Sequence, residues 1–371
     1  MREPAPLLHV DRTYVRLGRR RLSFFSGCDY FRLSSHPKIV AAFQTGIRKF
    51  GLTVAASRMT TGNHALYCSL EKRLARFFQT DDARLVSNGY LTNLVVAQAL
   101  AGNFSHALID SRAHPSLVDA ASFLDCPILQ FQHRDPNAVA AAIRRCGPGA
   151  RVVLLTDGLF ARDGSVPPLA DYLKLLPPDG VILVDDAHGG GILGSHGRGS
   201  VECAGVDRRR IIQTITLSKA FGVYGGAILG NADLRTKISR RSKIFIGSTP
   251  LLLPAAHAAL EAVNLLGKEG RRFRRDLEKN VSYVRSRLAR TGLVLASKPG
   301  PFVALAPRGD AAVRGIKQAL LRAGIYPPFV QYPGAPEGGF FRFVISSEHN
   351  KAQLDALITA VSSLADDFLP L

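Results

Sequence analysis

The chain has 371 residues, enough for one large or two smaller hydrophobic cores, and its 46% hydrophobic and 21% charged residues are typical of a globular protein. No apolar run reaches the roughly 18 to 20 residues of a membrane-spanning helix, and the segment 1–21 lacks the apolar core of a signal peptide, so we expect a cytoplasmic protein. The net charge of +19 fits a solvated basic surface, an anionic substrate or nucleic acid. No nucleic-acid-binding motif accompanies the basic clusters, and the five cysteines lack a zinc spacing. We therefore expect no nucleic-acid partner and no metal site.

Strand-like and helix-like patterns alternate through the middle of the chain. Short apolar runs predict seven strands, at 83–87, 106–110, 127–132, 151–157, 181–185, 211–217 and 225–230. Amphipathic helical patterns separate most of these runs, and the run 181–184 is apolar at every position, as in a strand buried on both faces. The pattern predicts an α/β fold with a mostly parallel seven-stranded sheet covered by helices.

After about residue 233 the pattern changes. A long helix follows Pro254, then strand-like segments at 293–297 and 302–307, another helix, a strand at 340–346 and a final helix at 351–369. This order predicts a smaller α+β domain at the C-terminal end. We therefore divide the chain into a short N-terminal segment (1–35), a large α/β domain (36–250) and a smaller α+β domain (251–371).

Polar residues follow the ends of several predicted strands. Asp185 ends one strand, with His188 in the next turn, while His114 and Lys219 follow two others. Gly89 opens a helix directly after the first strand, and a helix N-terminus is a natural phosphate-binding site. Because ligands of open α/β sheets bind beyond the carboxyl ends of the strands, we expect an amine, a carboxylate, two imidazoles and a phosphate site to converge at one edge.

This set of groups suits pyridoxal 5'-phosphate. The cofactor needs a lysine for a Schiff base, a carboxylate that keeps its ring nitrogen protonated, and a phosphate anchor. A lysine with its ordinary pKa of about 10.4 must be desolvated or placed near other cations to react as the amine, and the small, apolar neighbours of Lys219 favour desolvation. Taken singly, Lys219 fits a surface residue, Asp185 or His114 a helix cap, and His188 a turn histidine. The combination favours the cofactor.

Two other motifs point to different chemistry and are weaker. The segment GGGILG at 189–194 fits the dinucleotide-binding pattern G-x-G-x-x-G, but the three residues 186–188 separate it from the preceding strand and no acidic residue stands at the end of the next strand. The segment HGGG at 188–191 resembles the oxyanion loop of lipases, but no G-x-S-x-G occurs in the chain.

Six segments resemble the signature blocks of the α-oxoamine synthases: SNGYLTN, SRAHPSLVDAA, TDGLFARDGSVPPLADY, VDDAHGGGILGSHGRG, TLSKAFGVYGG and RFVISSEHNKAQLD. The resemblance extends from about residue 24 to the C-terminus. It implies a fold-type I pyridoxal-phosphate-dependent transferase that is a homodimer with active sites at the subunit interface. The implied reaction condenses a small amino acid with an acyl-CoA, releasing CO₂ and CoA and leaving an aminoketone. Within this group, an activity like that of 8-amino-7-oxononanoate synthase of biotin biosynthesis is our leading hypothesis.

The resemblance also implies a role for individual residues. Lys219 would bind the cofactor aldehyde, Asp185 the pyridine nitrogen and His188 the phenolic oxygen, while His114 would stack on the ring and assist proton transfer. The residues implied in phosphate binding are Gly89, Tyr90 and Thr216, together with Ser248 and Thr249, which would reach the phosphate of the neighbouring subunit.

Residues on the substrate side partly depart from the pattern of the family. Arg342 keeps it and would pair with the substrate α-carboxylate, a bidentate contact that suits arginine. Other positions differ. Cys28 stands where the family usually has an asparagine next to the substrate, and Asp157 where it has a glutamate; Tyr67 replaces a histidine and Ala161 a hydroxyl residue. These departures leave open an α-oxoamine synthase of another pathway, a CoA-independent pyridoxal-phosphate lyase, or a catalytically weak paralogue that serves as a partner subunit.

Overall fold

The computed structural model describes residues 4–293, 295, 299–331 and 337–369. The strands in chain order are β1 (Leu8–His9), β2 (Tyr14–Leu17), β3 (Arg20–Ser23), β4 (Asp82–Val86), β5 (His106–Asp110), β6 (Ile128–Phe131), β7 (Val152–Asp157), β8 (Val181–Asp185), β9 (Ile211–Thr216), β10 (Gly226–Gly230), β11 (Phe302–Pro307), β12 (Phe329–Val330), β13 (Phe340–Val344) and β14 (Phe368–Leu369). The helices are α1 (Pro37–Phe50), α2 (Ala65–Phe78), α3 (Gly89–Leu100), α4 (Pro115–Ala121), α5 (Pro136–Cys146), α6 (Leu169–Leu175), α7 (Ser200–Cys203), α8 (Ala232–Arg241), α9 (Lys243–Gly247), α10 (Leu253–Ala289), α11 (Asp310–Arg322) and α12 (Lys351–Ser362). In the described part of the chain, no helix is long and apolar enough to cross a membrane.

The chain forms two compact units. The large unit contains His36–Phe160 and Ser165–Arg271, and the small unit contains Met1–Ser35, Ala161–Gly164 and Arg272–Leu371. Helix α10 continues without a break from Leu253 to Ala289 and contributes to both units. The segment 1–35 groups with the small unit, and the division of the chain into domains at residues 35 and 250 stays a prediction.

The sheet of the large unit has the strand order β4-β10-β9-β8-β7-β5-β6. Strands β9, β8, β7, β5 and β6 pair in parallel, whereas β10 is antiparallel to both of its neighbours. Strand β4 therefore points the same way as the parallel strands, and its carboxyl end lies at the same edge. The predicted mostly parallel seven-stranded sheet is confirmed, with every strand bound within one residue of the prediction.

Both faces of this sheet are buried, which explains the continuous apolar runs. Val153 and Leu155 on β7 pack into a core layer with residues of α3 and α4, while Leu154 on β7 and Val184 on β8 pack into the opposite layer with residues of α5 and α6. Burying each such side chain contributes roughly 1.5 to 3 kcal/mol. Two filled layers hold the sheet edges in register, so the polar residues at the strand ends occupy defined positions.

The small unit contains two antiparallel sheets. Strands β1, β2 and β3 form one, which the sequence patterns did not predict, and the order β12-β13-β11-β14 forms the other. The predicted final helix ends at Ser362, because Phe368 and Leu369 instead pair with β11 and the Phe368 side chain is buried. The strand-like segment predicted at 293–297 lies largely outside the described residues.

Candidate active site

The carboxyl edge of the large sheet carries the predicted site residues. Strand β7 ends at Asp157, β8 at Asp185 and β9 at Thr216, and Asp157 and Asp185 lie directly opposite each other in the parallel register. Helix α3 begins at Gly89, just after β4, and His114 caps the start of α4. The topology thus brings these residues to one edge of the sheet, as the sequence predicts.

The N-terminus of α3 forms a seat for an anion. The side chain of its N-cap, Asn88, accepts a hydrogen bond from the backbone N–H of Leu91 at 3.1 Å, and the other N–H groups of the first turn have no acceptor within the helix. Gly89 packs tightly on the end of β9, since a Cβ at this position would lie 2.6 Å from Cβ of Thr216. Only glycine fits there, and N–H groups at a helix N-terminus attract phosphate.

Tyr90 follows Gly89 on the first turn of α3 and is 43% exposed. Its hydroxyl donates to the carboxylate of Asp119 on α4, and this hydrogen bond raises the pKa of Tyr90. The ring meets the His114 ring edge to face, with centroids 6.1 Å apart. Tyr90 therefore positions its ring beside His114, while its backbone belongs to the anion seat.

Asp185 is buried and held by two hydrogen-bond donors. Its Oδ2 accepts from Nδ2 of Asn93 at 2.6 Å and lies 3.2 Å from the hydroxyl oxygen of Ser116, and its Oδ1 accepts from the backbone N–H of Ala187 at 3.1 Å. Asn93 is in turn held by the hydroxyl of Thr214, which donates to its Oδ1 at 2.7 Å. A carboxylate fixed in this way can hold a protonated ring nitrogen.

Asp157, the other carboxyl group of the pair, has a different environment. Its Oδ2 accepts from the backbone N–H of His114 at 3.0 Å. Burial raises the pKa of Asp157 well above its ordinary value, and the negative charge of Asp185 adds to the increase. Within the pair, Asp157 is therefore the carboxyl group whose environment favours the protonated form.

His114 lies half-buried between these groups. Burial lowers its pKa from the ordinary value of 6.5; the charge of Asp185 opposes this decrease and the charge of Lys219 adds to it. The imidazole is therefore neutral at physiological pH, and it is close enough to Asp185 and Lys219 to sense their charges.

Lys219 and His188 occupy the turns after β9 and β8. The Lys219 turn is closed by two backbone hydrogen bonds, from Leu217 N–H to the Gly225 carbonyl at 2.8 Å and from Gly222 N–H to the Lys219 carbonyl at 3.0 Å. Lys219 is half-buried, and its positive charge acts on both His114 and Asp157. His188 is 8% exposed. Both side chains stand on short, hydrogen-bonded turns at the carboxyl edge.

Ser248 and Thr249 follow α9. The Ser248 hydroxyl donates to the carbonyl of Ile244, and Thr249 is exposed. Their contact with the phosphate of a neighbouring subunit stays a prediction.

The small unit brings two predicted substrate residues together. Nη1 of Arg342 donates to the carbonyl of Ala161 at 3.0 Å, and Nη2 of Arg342 lies 3.9 Å from Sγ of Cys28. The carbonyl of Ala161 orients the guanidinium, so residue 161 acts here through its backbone. Tyr67, in contrast, is a core residue of the large unit, fully buried with its hydroxyl donating to the Leu251 carbonyl.

The residues of the large unit fit pyridoxal phosphate on three observations. A backbone cradle at Gly89, which a Cβ would fill, offers N–H groups to a phosphate. Asp185 offers a fixed carboxylate, and Lys219 offers an amine within electrostatic range of His114.

Sequence reasoning missed the polar residues behind Asp185, namely Asn93, Ser116 and Thr214. All three are buried. Asn93 lies within an otherwise apolar helix, and Thr214 within a buried strand. These residues could have been found because each is polar at a position that the sequence pattern assigns to the core. A buried polar group requires a hydrogen-bond partner, so such a position indicates a polar network.

Known proteins resemble this chain in sequence and in fold. The family described as aminotransferase class I and II matches residues 28–361. The 8-amino-7-oxononanoate synthase of Thioalkalivibrio sulfidiphilus is 32% identical over 347 residues, which are 93% of this chain and 88% of that protein. Among solved structures, serine palmitoyltransferase of Sphingomonas wittichii matches with a TM-score of 0.92 at 24% identity, covering 98% of this chain and 93% of that one. The 8-amino-7-oxononanoate synthase of Francisella tularensis matches with a TM-score of 0.78 at 22% identity, covering 92% of this chain and 97% of that one.

These solved structures share the fold of this chain, which confirms the predicted fold-type I transferase architecture. The family match and the relative at 32% identity each extend over most of the chain. This protein belongs to the aminotransferase class I and II family and, within it, to the α-oxoamine synthases.

Proposed function

We propose that this protein is a pyridoxal-phosphate-dependent acyltransferase that condenses a small amino acid with an acyl-CoA, releasing CO₂ and CoA and forming an aminoketone. The carrying observation is that one sheet edge holds the anion seat at Gly89, the fixed carboxylate of Asp185 and the amine of Lys219. Its relatives at about 30% identity are named 8-amino-7-oxononanoate synthase, and this chain has an activity of that type.

Each group of the large unit has a defined task in this reaction. The first turn of α3 binds the phosphate, Asp185 binds the pyridine nitrogen and keeps its proton, and His188 binds the phenolic oxygen. Lys219 supplies the amine that joins the cofactor. When bound, pyridoxal phosphate withdraws electrons from the α-carbon of the amino acid, so that its proton becomes acidic.

The amino acid also needs an anchor for its carboxylate. Arg342 serves this role, since a planar guanidinium binds a carboxylate through two parallel hydrogen bonds. The Ala161 carbonyl accepts from Nη1 of Arg342, which limits rotation of the guanidinium. Cys28, with its sulfur 3.9 Å from Nη2 of Arg342, limits the size of the amino acid side chain that can bind. Asp157 holds the backbone of His114 by accepting a hydrogen bond from its N–H.

Release of CoA tests this function directly. Glycine, alanine and serine are each mixed with a series of acyl-CoAs, and free thiol is measured. We expect release with at least one pair, and Lys219→Ala should lower it at least about 1,000-fold because the covalent anchor is lost. Lys174→Ala, at an exposed lysine of the same unit, is the matched control. Cleavage of the amino acid with no thiol released would identify a CoA-independent lyase instead.

A homodimer is also part of the proposal. One face of α1 carries Val40, Phe43 and Ile47, each at least 36% exposed, and we call these three residues the α1 stripe. Leu52 and Leu252 near the ends of α1 and α10 are 61% and 46% exposed. An apolar surface of this kind favours burial against a second copy of the chain.

Cytoplasmic residence is proposed as well. All five cysteines are free thiols, as is usual in a reducing compartment. Fractionation of producing cells, with the protein followed in the cytosolic and membrane fractions, tests this assignment.

A further inference from the structure

A network of buried, hydrogen-bonded polar side chains contacts the His114 ring. Nδ1 of His114 lies 2.7 Å from the hydroxyl oxygen of Ser116 and accepts a hydrogen bond from the backbone N–H of Ser116 at 3.2 Å. The same hydroxyl lies 3.2 Å from Oδ2 of Asp185 and accepts from Nδ2 of Asn93 at 3.0 Å. Ser116 and Asn93 are 1% and 0% exposed, so their hydrogen bonds must be satisfied within the protein.

The protons of this hydrogen-bond network can be assigned one by one. A backbone N–H can only donate, so Nδ1 of His114 carries no proton while it accepts from Ser116. The two amide hydrogens of Asn93 go to Asp185 and to the Ser116 oxygen, because the amide oxygen already accepts from Thr214. The one proton of the Ser116 hydroxyl is thus left for His114 or Asp185. The shorter contact, 2.7 Å against 3.2 Å, selects Nδ1 of His114.

We propose that Ser116 is a positioning residue that keeps His114 in the Nε2–H tautomer, with Nδ1 unprotonated throughout the reaction. The inference rests on the proposed function and adds the protonation state of its imidazole. Two donors, the N–H and the O–H of Ser116, point at Nδ1, so a proton there would break both hydrogen bonds. His114 therefore acts as a neutral imidazole that donates a hydrogen bond from Nε2, and it does not act as an imidazolium acid.

The charged surroundings of His114 agree with this assignment. The charges of Asp185 on β8, Asp119 on α4 and Lys219 after β9 act on the His114 ring. Asp157 on β7 accepts from its backbone N–H, and the Tyr90 ring on α3 meets its ring edge to face. Burial lowers the pKa of His114, Asp185 opposes the decrease and Lys219 adds to it. The net decrease favours the neutral ring.

Nitrogen NMR of the cofactor-loaded protein tests the inference without turnover. The protein is labelled with ¹⁵N-histidine, and the His114 signals are identified by their loss in His114→Gln. We expect the ¹⁵N chemical shifts of His114 near neutral pH to be those of a protonated Nε2 and an unprotonated Nδ1. Ser116→Ala removes one donor to Nδ1, so it should raise the titration midpoint of His114 by about 0.5 to 1 pH unit, equivalent to one net hydrogen bond.

Two variants separate positioning from general stability. Ser116→Thr keeps the hydroxyl and should restore the wild-type midpoint, and Ser122→Ala, which removes an exposed hydroxyl that donates to the Asp119 carbonyl, should leave it unchanged. A protonated Nδ1 in the wild-type protein, or an unchanged midpoint in Ser116→Ala, would overturn the inference. Because the nitrogen shifts need no substrate, the expected spectrum without thiol release from any acyl-CoA would reject only the proposed function.

Discussion

Asp185 and Asp186 are adjacent residues with different environments. Asp185 faces the site, whereas Asp186 is 0% exposed and accepts from the backbone N–H of Ser200 at 2.7 Å and from Nε2 of Gln213 at 2.6 Å. Burial raises the pKa of Asp186 from 3.8 to about 6. A Cβ on Gly199 would lie 1.8 Å from Oδ2 of Asp186, so this glycine is required for the carboxylate to fit.

The raised pKa of Asp186 predicts a pH-dependent stability. The folded protein binds this proton more tightly than the unfolded chain, so the contribution to the free energy of unfolding is complete below pH 3.8 and is lost as pH rises through about 6. The loss amounts to roughly 3 kcal/mol. Asp186→Asn should abolish this slope, measured as denaturant unfolding against pH.

Asp171→Asn, at an exposed carboxylate on α6, is the control for this measurement and should keep the wild-type slope. If the difference in stability between wild type and Asp186→Asn stays constant across the acid range, the assignment to Asp186 is wrong.

At the scale of elements, His349 ties the end of β13 to the N-terminal segment of the small unit. Its Nε2 lies 3.1 Å from the carbonyl of Phe24, its Nδ1 accepts from the backbone N–H of Ser346 at 3.0 Å, and its ring stacks on Phe25 at 4.2 Å. Because Nδ1 accepts, Nε2 carries the proton and donates to Phe24. Burial lowers the pKa of His349 from 6.5 to about 3, so the ring is neutral in the folded protein.

The lowered pKa of His349 predicts a pH dependence of the free energy of unfolding that is opposite in sign to that of Asp186. The unfolded chain binds the His349 proton more tightly, so stability from this group is complete above about pH 6.5 and is lost as pH falls toward 3. The loss reaches at most roughly 5 kcal/mol. His349→Gln keeps a donor for the Phe24 carbonyl and should flatten this part of the stability profile.

His9→Gln, at an exposed histidine on β1, serves as the matched control for His349→Gln. An acid-side slope that survives in His349→Gln would show that another group carries the effect.

At the scale of the whole molecule, the α1 stripe predicts the oligomeric state. Phe43→Glu places a charge in the centre of the proposed dimer interface. Loss of a central apolar contact of about 2 kcal/mol or more should weaken the dimer at least about 30-fold. Light scattering after size-exclusion chromatography, over a range of protein concentrations, measures the change.

Leu175→Glu, at a residue of α6 that is 36% exposed, is the control and should leave the dimer intact. A wild-type protein that stays monomeric at high concentration would reject the homodimer and, with it, the predicted contact of Ser248 and Thr249 with a second subunit.

The sequence by itself determined the features that depend on neighbouring residues. Continuous apolar runs predict the seven buried strands, and the polar residues that follow their ends, His114, Asp185 and Lys219, come from the same local pattern because ligands bind where parallel strands end. Gly89 could be assigned to a helix start from its position after β4. The signature blocks supplied the family, which the comparisons confirm.

Only the tertiary structure decided which distant groups meet. Asn93, Ser116 and Asp185 come from two helices and a strand that lie up to 92 positions apart in the chain, and the pairing of Ala161 with Arg342 spans 181 positions. Local pattern carries no information about such pairs, because hydrogen bonds of this kind exist only once the order of the strands and the packing of the helices are set. For the same reason, the tautomer of His114 depends on the folded protein.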